Sequence, residues 1–292
     1  ARRDCLQHAE RDALGRTMRD EKHTLAISPS GHFYIHFDTT GNHAPDLLDI
    51  DENGIPDYVD KVSIYADSAY FMLVDSMGYN VEPADNDGIY DIYIIFLVAG
   101  KYGFNWSEGS GVSYLEIASN YEGYDSFATP EQLMQISLSH EYFHAIQYGY
   151  RGSGIDPYFY EMTSMWIEDV IVPDGDDYLD WPIWNLINNP EKDFGTLGPG
   201  YELALFGHYL SSYLDPNGKL NVFNSKEIKR FKKALEEEYG CSIPKDYAYL
   251  VNDKNKKLFS LKSFDLLFGR RSMDGKPTGE AGKCIIVSEI ST

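Results

Sequence analysis

The order of apolar and polar positions divides the chain into a strand-bearing first part and a helical remainder. HFYIHF (His32 to Phe37) alternates with a period of two and predicts a strand. IYDIYIIFLV (Ile89 to Val98) is almost continuously apolar and predicts a strand buried on both faces, and GVSYLEIAS (Gly111 to Ser119) predicts another. An acidic loop at 46–57 leads into an amphipathic helical pattern from Tyr58 to Met77. From Pro130 the period becomes helical, predicting helices over about 130–149, 157–171, 199–214, 225–239 and 245–252. Between them, 172–198 is rich in Asp, Asn, Pro and Gly and reads as a long surface loop with a short helix at DWPIWNLI (Asp180 to Ile187). Residues 4–22 are polar and helix-prone and predict a peripheral arm. Strands followed by a run of helices predict an α+β protein of two lobes. The N-terminal lobe, with a mixed sheet, spans about 1–150; the mainly helical C-terminal lobe spans about 151–255; a basic tail follows at 256–292.

Charge changes this picture by restricting partners. The formal net charge is −21, and residues 1–215 carry 10 Lys and Arg against 36 Asp and Glu, whereas residues 216–292 carry 15 against 10. A field of that sign repels nucleic acid and anionic membranes and favours divalent cations. No apolar run approaches the ~18 residues of a membrane helix, so no integral membrane segment is expected. Cys5, Cys241 and Cys284 form no C-x-x-C pair, which argues against a cysteine-rich zinc site or a disulfide scaffold; one disulfide with one cysteine left over stays open. The start at Ala1 fits removal of a leader peptide or a fragment of a longer chain. A secreted or cell-surface monomer is the expectation.

Candidate chemistry concentrates in SLSHEYFHAIQYGY (Ser137 to Tyr150). On a helix, His140 and His144 share one face, and Glu141 lies next to it. H-E-x-x-H is the arrangement in which two neutral imidazoles hold zinc and the glutamate acts on the zinc-bound water. No H-x-x-G-x-x-H extension follows, which excludes the metzincin pattern. A zinc hydrolase normally has three protein ligands and one open position. The segment DPYFYEMTSMWIEDV (Asp156 to Val170) offers Glu161 and Glu168, two turns apart on one helical stripe. Glu161, set among Tyr, Phe and Met, would be costly to bury unless paired or metal-bound, and is the expected third ligand. Glu168 suits a role behind the ligands or in solvent. Glu141 is the expected general base, and Tyr148, Tyr150, Tyr201 and His208 are candidates to stabilise an oxyanion.

A second cation site is legible in DIDENGIPDYVD (Asp49 to Asp60). Asp49, Asp51, Asn53, Ile55, Asp57 and Asp60 fall at positions 1, 3, 5, 7, 9 and 12 of an EF-hand-like loop, with Gly54 at the sharp turn and Ile55 offering its carbonyl. Pro56 can open the exiting helix. A weaker second calcium candidate is DNDGIYD, with Asp85, Asp87 and Asp91; a tight turn before a strand explains it equally well. DGDD (Asp174 to Asp177) reads as a solvated loop.

H-E-x-x-H followed by EMTSMWIE (Glu161 to Glu168) resembles the gluzincin peptidases, in which the first glutamate of the second segment binds zinc; Met162 and Ser164 depart from that family's glycine and alanine. The segments HFYIHFDTTGNHAP, DIDENGIPDYVDKV, YDIYI, HEYFHAIQYGY and ALFGHYL also resemble, in order, the MXAN-type family of secreted metalloproteases of bacteria and archaea, over about residues 20–215. The resemblance implies a zincin-like fold and a secreted, Zn²⁺- and Ca²⁺-binding enzyme that hydrolyses peptide or protein substrates, as an endopeptidase more than an aminopeptidase. The rival expectation is a calcium-dependent extracellular binding or adhesion module whose zinc site is structural or degenerate.

Overall fold

Phe33, Ile35 and Phe37 are buried while Tyr34 and His36 between them are half-buried, the alternation of a strand with one face on a core. The structure, a computed structural model, describes residues 6–8, 19–98, 100–124, 126, 128–151, 157–179, 181–189 and 198–208. The chain divides into two compact units, residues 1–155 with 167–177 and residues 156–166 with 178–292.

The first unit is built on a mixed sheet. Its strands are β1 (Leu6–His8), β2 (Thr24–Ile27), β3 (Phe33–Phe37), β4 (Tyr90–Ile95), β5 (Gly103–Gly109) and β6 (Val112–Ala118), in the order β1-β5-β6-β4-β3-β2. β3, β4 and β6 are parallel neighbours; β2 and β5 pair antiparallel with β3 and β6, and three-residue β1 adds in parallel to β5. Every residue of β4 is buried, Asp91 included, as its almost continuously apolar run predicts for a central strand. Helix α1 (Asp57–Tyr70) lies on β2 and β3, helix α2 (Pro130–Arg151) lies on β5 and β6, and the two helices pack together. The helix expected at 58–77 is therefore α1 continued by a wider π turn, Phe71–Ser76.

Three differences from the sequence reading come from contacts with distant segments that the local pattern does not announce. Leu6–His8, expected in a helix-prone arm, is a strand because the edge of β5 supplies its partners. β2 and β5 are too short or too polar to stand out by periodicity. Asp177 of the expected solvated loop is buried, where it accepts hydrogen bonds from Tyr102 Oη (3.3 Å) and Ser126 Oγ (3.0 Å).

α2 begins at a reciprocal cap: Thr129 Oγ1 accepts from the Gln132 amide (3.2 Å) and Gln132 Oε1 accepts from the Thr129 amide (2.8 Å). Midway along, Tyr142 donates its hydroxyl to buried Glu82, whose other oxygen lies 2.6 Å from His32 Nε2. Burying an aromatic such as Tyr142 is worth about 1.5–3 kcal/mol, and the Glu82 contact fixes which way the helix faces.

The outer face of the sheet carries charge. Arg19 forms a two-pronged bond to Glu108 (2.7 Å at each oxygen), contacts Asp91, and lies 3.0 Å from Asp85 Oδ2. His36 Nε2 sits 2.6 Å from Asp91, and its ring stacks on Tyr93 at 4.4 Å. Burial, and then the charge of Asp91, pushes the Tyr93 hydroxyl up to about 12.

Of the second unit, the described residues include the first part of helix α3 (Pro157–Ile171), which runs across the division at residues 166 and 167, and helix α4 (Trp181–Asn188). Both match the expected helices at 157–171 and DWPIWNLI. The expected helices at 225–239 and 245–252, the basic tail and all three cysteines lie outside the described residues. No helix among the described residues is long and apolar enough to cross a membrane.

Candidate metal centre

α2 presents His140 and His144 on one face, one turn apart, with ring centroids 4.7 Å apart and ring planes at 84°. Their Nε2 atoms are 3.0 Å apart. His140 Nδ1 lies 2.5 Å from Glu168 Oε1 on α3, and His144 Nδ1 lies 2.7 Å from Gln147 Oε1 one turn further along α2. Each acceptor oxygen calls for the proton on Nδ1, which fixes the tautomers and leaves both Nε2 lone pairs facing each other. Two lone pairs at that separation repel unless a cation or a proton lies between them.

One ligand atom from each of His140, His144 and Glu161 lies within 4.8 Å of the others, and all three residues are buried. Glu161 and Glu168 are seven residues apart on the one helix α3, as the sequence spacing predicts. Buried imidazoles and carboxylates gathered this closely are costly without a shared counter-charge. Two neutral imidazole nitrogens and a carboxylate are a donor set that suits zinc.

Glu141 is 2% exposed and packs against the backbone of β5. A Cβ on Gly103 would come within 2.9 Å of Glu141 Cγ and 3.4 Å of its Oε1, so only glycine gives this carboxylate its room. Asn105, two residues along β5, donates from Nδ2 to the Glu141 carbonyl oxygen at 2.8 Å and ties helix to strand. Tyr148 is buried with its ring parallel to His144, 6.3 Å between centroids. Tyr150 is turned elsewhere, its hydroxyl accepting from the Asn80 amide at 3.0 Å. In the second unit, buried Tyr201 and half-buried His208 are described, and the His208 ring lies 5.2 Å from that of Tyr178.

Gln147, Gly103 and Asn105 escaped the sequence reading. The first carried a signal, since it stands three residues after His144 on a helix where such pairs touch. The other two are brought to Glu141 by sheet pairing and carried none.

The acidic loop gathers Asp49, Asp51 and Asp57, with carboxylate oxygens within 4.8 Å of one another. Asp49 accepts from the amides of Asn53 (3.2 Å) and Gly54 (2.9 Å), and Gly54 has the positive φ of +90° that the sharp turn needs. Asn53 Oδ1 accepts from the Ile55 amide (2.7 Å), and Asp60 takes the Asn53 side-chain amide (2.8 Å) instead of joining the three aspartates. α1 starts at Asp57, directly after Pro56.

The second calcium candidate is corrected. Arg19 already stands as the cation between Asp85 and Asp91, and Asp87 accepts from the Ile89 amide (3.0 Å). The guanidinium already takes the Asp85 and Asp91 oxygens that an ion would need.

Compared with known proteins, the chain matches no family model, no curated protein and no solved structure.

Proposed function

We propose that the protein is a secreted zinc-dependent peptidase of gluzincin type, braced by calcium at the Asp49–Asp60 loop. The observation that carries this reading is the convergence of His140, His144 and Glu161 beside a buried glutamate that binding a structural ion would not require. His140 Nε2, His144 Nε2 and a Glu161 oxygen would hold the zinc. When bound, zinc supplies a Lewis acid that polarises a carbonyl and lowers the pKa of a coordinated water.

The chain's own residues do the rest. Glu141 takes up a proton on its carboxylate and returns it to the leaving amine. Gly103 and Asn105 hold Glu141 against β5, so that the base meets its partner without rearranging. Glu168 and Gln147 keep His140 and His144 in the tautomers whose Nε2 atoms would coordinate zinc. Tyr148, parallel to the His144 ring, is a candidate donor to an oxyanion, alongside Tyr201 and His208.

The acidic loop suits an extracellular setting, where calcium is millimolar. It also supports the alternative reading, a calcium-dependent adhesion module with a structural zinc site. Metal analysis before and after EDTA, followed by hydrolysis of casein and of quenched-fluorescence peptides with and without zinc, separates the two. Stoichiometric zinc with zinc-dependent cleavage supports the peptidase. Bound zinc without cleavage leaves the adhesion module.

A further inference from the structure

The first unit has a cavity of about 860 Å³ where β4 and β6 end, lined by residues of the 42–48 loop, the first turns of α1 and the start of α2. None of His140, His144 and Glu161 lines it. We propose that this cavity docks a cationic polypeptide segment: a lysine or arginine flanked by apolar residues.

The argument rests on what its walls offer. Four carboxylates and one cation line it, and Lys61 Nζ lies 2.8 Å from Glu131, which Tyr65 also contacts. That pair offsets its own charges, and the hydrogen bonds from Lys61 and Tyr65 hold the Glu131 carboxyl below its ordinary range. Asp46 and Glu122 remain, because Asp57 belongs to the acidic loop group and feels the charge of Lys61. Asp46 accepts from the backbone amide of Leu48, and among the described residues no cationic side chain forms an ion pair with Asp46 or Glu122. Such a wall attracts positive charge.

The rim is apolar as well as acidic. Leu48 is 57% exposed and Phe96 is 55% exposed, both lining the cavity, and their chain neighbours Leu47, Ile50 and Val98 are exposed too. Large apolar groups held in water beside a depression mark a docking surface. Lysine and arginine place an apolar stem below a charged head, which matches a floor bearing Met134 under acidic walls. A small free cation could satisfy the carboxylates but would leave Leu48 and Phe96 wet. A polypeptide satisfies both, and complementary charge selects a basic one.

The test is fluorescence anisotropy of labelled peptides on the full chain in calcium-containing buffer. A Lys/Leu peptide should bind, with an affinity that falls steeply as salt rises. A Glu/Leu peptide of the same length should not bind. The double variants Asp46→Asn/Glu122→Gln and Leu48→Ser/Phe96→Ser alter exposed side chains and should keep the wild-type Tm. Each should weaken the basic peptide by about tenfold. Unchanged affinity in either folded double variant overturns the proposal, as does equal binding of the acidic peptide or equally tight binding of spermine alone. Repeating the titration on Glu141→Gln protein should give the same Kd, so this result stands or falls apart from the peptidase reading.

Discussion

The two cation-ready groups of this protein differ in one respect from which the rest follows. His140, His144 and Glu161 are buried, and the two imidazoles each have a dedicated partner behind them, Glu168 and Gln147. Asp49, Asp51 and Asp57 are half-buried or exposed, and their partners are backbone amides of their own loop. Water can stabilise unpaired aspartates at a surface, so a loop there needs little support. A buried set has no such recourse and must be built from several elements at once. Removing a residue behind the buried group should therefore act on metal and chemistry together, whereas changing the loop should act mainly on stability.

The sharpest way to break that contrast is at Glu141. Glu141→Gln should lower hydrolysis by about 10²–10⁴-fold while zinc content stays stoichiometric, read from progress curves and metal analysis on one preparation. Full activity would remove Glu141 as the base. Next in size is Glu168→Gln, which should weaken zinc about 10–100-fold in a chelator competition, because His140 loses its anionic partner. The loop comes third. Saturating calcium at about 100 times Kd should stabilise the native state by about 2.7 kcal/mol, and Asp51→Asn should shrink the calcium-induced shift in Tm without changing zinc content.

The smallest effect lies away from both groups, at Glu116. Burial raises its carboxyl above the ordinary value, and the hydrogen bond from Trp106 only partly offsets this. A carboxyl raised on folding contributes stability below its ordinary pKa and loses it as pH rises through the raised one. Glu116→Gln keeps an acceptor for Trp106 and should raise Tm by about 2 °C at neutral pH, with no gain near pH 4, in paired thermal scans.

Much of the centre was legible because helical spacing is a local rule. His140, Glu141 and His144 sit one turn apart, and Glu161 and Glu168 two turns apart, so one-dimensional spacing already placed them on shared faces. The Asp49–Asp57 loop was legible for the same reason, being contained in a dozen residues. What stayed hidden depends on contacts between distant segments. Arg19 meets Asp91 across 72 positions, and that pairing turned an expected calcium site into an ion-paired cluster. Gly103 and Asn105 reach Glu141 only through the pairing of β5 with β6 and the packing of α2 above them. Asp60 shows the limit even within a loop, since a spare amide from Asn53 competed for the carboxylate that the twelve-residue pattern assigned to an ion.

Pro130 to Arg151 is one unbroken helix, and it reaches from the cavity wall at Met134 to the imidazole of His144. Ten residues of helix fix that interval at about 15 Å along the axis, the reach of roughly four or five extended residues. If the docking and peptidase proposals both hold, the rod sets the interval between a basic anchor and the bond that is cut, and fragment lengths would record it.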